Sequence, residues 1–527
     1  MDEASVGSPV RHVLDLRLGI DVGGTNTDAV VLDRADALVA KAKTPTSADV
    51  SAGIEAAVDA VLAAGDVDRA RISHVMLGTT HATNAVLERR RLHRVAVLRI
   101  GAPATLSVRP LLTWPDDLKA VVSGGEAIVR GGIELDGREI VPFDADAVRR
   151  FLAPLRGKVD AVAITSVFAP VSPRHEQAAG DIAREVMGDD VRLSLSHELG
   201  SLGILERENS TILNGALLGV ARDVAGTLAA ALGRRGIQAA LYFAQNDGTL
   251  MALEHAVRFP VLTIGSGPAN SLRGAAYLTG RDDGIVVDVG GTSTDIGVLV
   301  GGFPRESTQA VEIGGVRTNF RMPDIVSIAI GGGTVVRAGA IGPDSVAWRI
   351  SQEGLAFGGA TPTLTDAALL TGRASGIGSI IPGPEHAEVL RQGLALADVA
   401  LAEAIDRVKT SRSDATLIIV GGGSILLDDA IPGASQILRP PHHDVANAIG
   451  AAIAKVSGSA EEVVTFQARG HADAVQAIAA RAGAAAVAAG ADPERVEVVD
   501  VEETPLTYLM EPAARIRVKA AGPLILG

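Results

Sequence analysis

Short apolar blocks parted by turn residues run along the chain. LRLGID (residues 16–21), TDAVVLD (27–33) and ALVAKAKT (37–44) are Val-, Leu- and Ile-rich runs of this kind, and they predict three successive strands. A helix is predicted over 51–64, a strand over 72–78 and a helix from about 80 to 91. The alternation resumes with a strand at 162–168 and a helix at 173–186, a pattern of α/β domains.

One segment echoes another over a long distance. IDVGGTNTDAVVLD (20–33) returns as VDVGGTSTDIGVLV (287–300), and from Asp21 to Asp28 against Asp288 to Asp295 only Asn26 and Ser293 differ. A separation of 267 residues is too long for a solenoid repeat, so two similarly built domains facing each other are expected. Two further glycine clusters follow strands, Gly331, Gly332 and Gly333 after DIVSIAI, and Gly421, Gly422, Gly423 and Ser424 after LIIV. A helix rich in small residues is predicted over 445–455. Past residue 460, VVTFQARG, an alanine-rich helix (472–488), VEVVDVEETPL and ARIRVKAAG predict a small βαββ unit.

Composition narrows the chemistry. No cysteine occurs in 527 residues, which excludes disulfides, thiolate metal sites and a cysteine nucleophile. A net charge of −14 argues against nucleic acid as a partner. The acidic, polar start and the absence of an apolar run long enough for a membrane span point to a cytoplasmic protein. Glycine, 60 of 527 residues, is in excess. Part of that excess is compositional background shared with alanine, but the clusters at strand ends bring bare backbone to places where an anion or a base could approach.

A hairpin reading Asp-x-Gly-Gly-Thr-x-Thr turns its amides toward an anion, and here there are two. Gly23, Gly24, Thr25 and Thr27 in the first, and Gly290, Gly291, Thr292, Ser293 and Thr294 in the second, are the candidate phosphate contacts. Asp21 and Asp288 end the strands beside them, placed to hold Mg²⁺ directly or through water and to act in catalysis. Asp28 and Asp295 either join them or brace the hairpins. Gly331 to Gly333 are expected at the phosphates and Gly421 to Ser424 at a nucleoside. Thr79, Thr80, His81 and Asn84 sit where a strand turns into a helix, with His81 a catalytic candidate. The polar run Arg207, Glu208, Asn209 and Asn214 either lines a cleft or caps a helix. Asn246, Asp247 and Ser266 complete the candidate substrate contacts, whereas His442, His443 and Asp444 fit a surface turn better than a metal site.

The paired DVGGT motifs and the later GGGS resemble the phosphate and adenosine elements of the actin/sugar kinase/Hsp70 superfold. More narrowly, DVGGTNTDAVVLD, LGTTHATNAVLER, RENSTILNGAL, TIGSGPANSLRGA and DVGGTSTD, in that order, resemble the hydantoinase A/oxoprolinase family. The resemblance implies two actin-like (ribonuclease H-like) lobes facing a cleft, ATP with Mg²⁺, and ATP-dependent opening of a cyclic amide by phosphorylation of its oxygen. A small-molecule kinase, or the ATP-binding subunit of a carboxylase-type complex, is the alternative. It also implies self-association or a hydantoinase B-like second subunit. Lobes are expected over 12–205 and 206–458, with a separate C-terminal α/β domain over 459–527. One departure stands out: the family's Asp-Ile-His-Thr-Ile-Gly-Ala-Gly-Gly-Gly-Ser reads DIVSIAIGGGT here, with Val326 in the histidine position.

Overall fold

Both halves of the repeat fold as antiparallel hairpins, Leu16–Val22 with Asn26–Leu32 and Gly284–Val289 with Thr294–Val300. Their registers match: Asp21 faces Asp28 and Asp288 faces Asp295. The computed structural model describes residues 15–46, 50–200, 202–307, 310–320, 322–466, 470–507 and 511–525. The polar N-terminus and residues 467–469 of VVTFQARG lie outside the described residues.

Each hairpin founds a sheet of the same strand order, third–second–first–fourth–fifth. In the first lobe this runs Leu38–Pro45, Asn26–Leu32, Leu16–Val22, Ile72–Thr79 and Ala240–Ala244; in the second, Phe303–Pro304, Thr294–Val300, Gly284–Val289, Ala415–Val420 and Ala434–Leu438. The fourth strand joins the first in parallel in both lobes. All seven residues of Leu16–Val22 are buried because helices cover both faces. Ile54, Ala57, Val58 and Val61 of the helix Val50–Ala64 share one core with Leu18 and Ile20, following helical spacing. On the other face Ala448, Ile449 and Ala452 of the helix Ala446–Ile453 meet Val30 and Leu32.

Between its fourth and fifth strands the first lobe carries a four-stranded parallel sheet over residues 95–195. It is anchored to the start of the long helix Ile204–Arg234. There Glu208 takes a two-pronged, fully buried ion pair from Arg99, and Arg207 donates to Ser196 Oγ and the Ser166 carbonyl at 2.9 and 2.7 Å. By length and apolarity this helix could cross a membrane, but it is a core helix, largely buried.

Strand pairing departs from the predicted boundaries. The fifth strand of the first sheet comes from 240–244, beyond the expected break at 205, and Leu250–Ala252 extends that sheet. The predicted C-terminal βαββ elements exist as Val456–Thr465, His471–Ala488, Glu497–Pro505 and Ala513–Gly522. They do not form a sheet of their own: Val456 pairs with Leu250, making one nine-stranded sheet. The reason is adjacency in space, which local pattern does not carry.

The lobes join where the helix Ser266–Thr279 crosses Ala446–Ile453. A Cβ built on Gly274 would lie 1.9 Å from the Ala446 carbonyl oxygen, and one on Gly450 1.9 Å from that of Asn270. Gly450→Ala should therefore lose more than about 3 kcal/mol of stability in chemical denaturation, since backbone cannot yield as a side chain can. Gly226, inside the long helix with nothing within 4 Å of such a Cβ, is the control, and Gly226→Ala should gain about 0.5–1 kcal/mol.

Candidate functional site

The helix crossing sets two carboxylates at the cleft floor. Asp21 is 3% exposed, and its two oxygens accept from Asn270 Nδ2 at 3.3 Å and Asn447 Nδ2 at 2.9 Å, one from each crossing helix. Asp288 accepts from Ser271 Oγ at 2.5 Å. Burial, then the neighbouring charge of Asp28, pushes Asp21 up to about 6. Burial pushes Asp288 up to about 7, with Asp295 and Asp21 adding to the rise against the Ser271 hydrogen bond. Close like charges in a dry site favour the protonated form.

The second aspartate of each hairpin differs in its partner. Asp28, raised by burial, is opposed by Lys43, whose Nζ stands 2.5 Å away on the third strand. Asp295 is raised by burial too, and its partner is the neutral hydroxyl of Ser327. Val326, in the family's histidine position, packs against the second lobe's core.

The hairpins touch. A Cβ on Gly291 would lie 2.4 Å from Thr25 Oγ1, and that hydroxyl is buried with no hydrogen-bond partner. Both turns close alike, Gly23 N–H donating to the Asn26 carbonyl at 3.0 Å and Gly290 N–H to that of Ser293 at 2.9 Å. Gly24 and Thr292 stand at the facing tips. Thr27 and Thr294 do not: they are fully buried, their hydroxyls meeting Thr46 Oγ1 at 3.2 Å and the Ile330 carbonyl at 2.6 Å.

Glycine clusters three and four have different tasks. Gly332 and Gly333 donate their N–H groups to the Gly290 and Gly291 carbonyls at 3.1 and 2.7 Å and so brace the second hairpin, against which Gly331 packs, a Cβ there falling 2.6 Å from Thr292 N. Gly421 lies against Asp288: a Cβ there would fall 2.3 Å from Asp288 Oδ1, and its φ of 87° favours glycine. Gly423 N–H donates to the Val289 carbonyl at 2.7 Å. Gly422 is exposed, facing Lys43 Nζ across 3.9 Å measured from a built Cβ. Ser424 is buried, its carbonyl held by Arg439.

Thr79, Thr80, His81 and Ser266 gather at the end of the fourth strand. Thr80 Oγ1 donates to the Val22 carbonyl at 3.2 Å and Ser266 Oγ to that of Thr79 at 3.4 Å. His81 Nδ1 meets Thr79 Oγ1, and burial pushes the ring down to about 4, leaving it neutral near pH 7. Asn84 is exposed beside them. Asn209 is not part of this group: it accepts from Trp114 Nε1 at 2.7 Å and donates to the Arg317 carbonyl at 2.9 Å, pinning the inserted sheet. Asn246 and Asp247 line a separate cavity farther along the first sheet. His443 and Asp444 form a turn whose carboxylate pairs with Lys41 at 2.8 Å. Among the described residues no cluster of three or more His, Asp or Glu side chains is arranged to hold a metal.

Lys43, Asn270 and Asn447 escaped the sequence reading. Register is the signal for Lys43, which faces Asp28 across the hairpin's outer edge. For the asparagines it is an amide among small residues at a helix crossing.

Two lobes of one strand order, joined by crossing helices and closed by matched Gly-Gly-Thr hairpins, define an actin-like fold. Residues 17–187 match the hydantoinase/oxoprolinase N-terminal region and 207–377 match hydantoinase/oxoprolinase, and the chain belongs to this family. Caprolactamase subunit alpha of Pseudomonas jessenii is 28% identical over 379 residues, 68% of this chain and 54% of that protein. The acetophenone carboxylase gamma subunit of Aromatoleum aromaticum is 26% identical over 390 residues, 67% and 53% respectively. The chain thus spans about half the length of these relatives. The crystal structure of ATP-dependent caprolactamase from P. jessenii superposes with a TM-score of 0.76 at 21% identity, over 97% of this chain and 88% of that one, and so shares the fold.

A carboxyl with a raised folded-state pKa stabilises the fold fully below the ordinary carboxylate range, and that contribution is lost as pH rises through the folded value, about 7 for Asp288. In the nucleotide-free protein the stability of Asp288→Asn relative to wild type should therefore shift in the variant's favour between pH 5 and pH 8. Urea titrations at both pH values measure this, and a pH-independent difference contradicts the burial argument.

Proposed function

We propose that this chain is the nucleotide-binding part of an ATP-dependent enzyme that opens a cyclic amide ring, hydantoin- or 5-oxoproline-like, by phosphorylating the amide oxygen. The observation that carries the reading is the pair of touching hairpins, each backed by a carboxylate, within a chain of the hydantoinase/oxoprolinase family. The caprolactamase relative, itself a subunit alpha, supports the substrate class and a second subunit.

An unstrained amide resists water because resonance protects its carbonyl. In the proposed reaction its oxygen takes the γ-phosphoryl group and ADP leaves. Water adds at the carbon, the ring C–N bond breaks to an amine and an acyl phosphate, and a second water releases phosphate.

The cleft fits Mg²⁺ arriving with the nucleotide. Asp21 and Asp288 are hard oxygen donors, and Thr25 Oγ1 and Asn270 Oδ1 are buried there without hydrogen-bond partners. When bound, Mg²⁺ draws charge from the phosphates. Asn270, Asn447 and Ser271 hold the two carboxylates in place. Lys43, between Asp28 and Gly422, brings positive charge to the same face. Gly24 and Thr25 present bare backbone and a hydroxyl to phosphate oxygens. Neutral His81 and Ser266 border the space where the ring would lie.

ADP release is expected to require ATP, Mg²⁺ and a member of a lactam and hydantoin panel, assayed with and without a hydantoinase B-like subunit. Asp21→Asn should lower turnover on the order of 100-fold or more while leaving the fold intact, in keeping with a reaction driven by charge placement. Turnover indifferent to every ring compound sinks the reading. The acetophenone carboxylase relative favours a ketone with bicarbonate as the second panel, and a stable phosphorylated product would instead mark a kinase.

A further inference from the structure

Away from the hairpins, a cavity of about 850 Å³ opens between the inserted domain, the loop at Phe320 and the C-terminal strands. That volume suits a small molecule. Its position is not arbitrary. The parallel strands Leu16–Val22, Ile72–Thr79 and Ala240–Ala244 all end on one edge of the sheet. The first leads into the phosphate hairpin, the second into Thr80 and His81, and the third into Asn246, which lines the cavity. Ligands of open α/β sheets collect at such carboxyl ends. Residues 262–266 link the two places, since Asn246 N–H donates to the Leu262 carbonyl at 2.8 Å and Ser266 Oγ to that of Thr79 at 3.4 Å.

The C-terminal strands build the opposite wall by alternation. Ala460, Val464, Ile516, Val518 and Ala520 pack under the helix His471–Ala488. Their neighbours Ser459, Glu461, Arg517 and Lys519 face the cavity. Lys519 pairs with Asp247 at 2.6 Å. The Arg517 guanidinium has no ion pair or hydrogen bond among the described residues, although the residue sits in register with Glu461 on one side and Glu502 on the other. Asn246 is 4% exposed and its Nδ2 is buried without an acceptor. A buried amide donor left unpaired is unfavourable, and a ligand oxygen would satisfy it.

We propose that this cavity is a second small-molecule site, separate from the hairpin cleft. It takes a compound with a carbonyl or carboxylate oxygen and an N–H group a few bonds apart. Asn246 Nδ2 and Arg517 meet the oxygen, and Glu461 meets the N–H. Two sources share that chemistry, a cyclic amide and the amino acid left when its ring opens; this pairing, though not the cavity, rests on the proposed function.

Calorimetric titration of the nucleotide-free full chain with 2-pyrrolidone and with 4-aminobutyrate separates the sources. Binding of at least one probe is expected, weakened about tenfold or more by Arg517→Met. Arg517 is partly exposed and unpaired, so this variant keeps the fold, which a thermal melt checks. Asn246→Asp, which replaces the donor by an acceptor, should weaken the same probe, and ADP affinity should be unchanged in both variants. Binding of neither probe, or undiminished binding to Arg517→Met, overturns the site. Ring-dependent ADP release would survive that result, so failure here is distinct from failure of the proposed function.

Discussion

Everything in the cleft depends on two helices meeting backbone to backbone. Ser266–Thr279 and Ala446–Ile453 cross with Gly274 against the Ala446 carbonyl and Gly450 against that of Asn270. At such a distance no side chain fits between them, and the residues flanking the crossing are fixed relative to both sheets. Asn270 and Asn447 then reach Asp21, and Ser271 reaches Asp288. The two carboxylates come close enough for the charge of Asp21 to raise Asp288. Small residues that read as compositional background are, at these positions, the condition for having a site at all.

The electrostatics that follow are lopsided. Cross-strand register gives the first lobe a row Asp21–Asp28–Lys43 and the second a row Asp288–Asp295–Ser327. The lysine compensates one carboxylate; the serine only orients another. Buried charge is tolerated where it is paired or awaits a partner. Four carboxylates stand against one ammonium where two glycine hairpins touch, and burial raises all four above the ordinary carboxylate range.

How far the sequence was legible depends on the range of the interaction. The repeat was readable because a strand, two glycines, a threonine and a strand specify their own hairpin, and the matched registers follow from it. The third glycine cluster is less legible, because glycine spacing does not say which way an amide points; Gly332 and Gly333 turn to carbonyls some forty residues earlier. Asn209 is undecided in the sequence for a like reason: a polar run at a helix start fits a cleft or a cap, and its partners Trp114 and Arg317 lie about a hundred residues away on either side. The βαββ order after residue 456 was visible, yet its place in the first sheet was not, since a single pairing of Leu250 with Val456 decides it.

That pairing changes what the C-terminal segment is. A separate appendage could be lost without consequence for the cleft, whereas strands continuous with the nucleotide-side sheet cannot move independently of it. The sheet's carboxyl edge becomes one ledge, running from the hairpin at Gly23 past Thr79 to Asn246 and ending on the wall that carries Arg517 and Lys519. The helix His471–Ala488 holds that wall by burying its other face. One continuous sheet thus fixes the position of the cavity wall relative to the first hairpin.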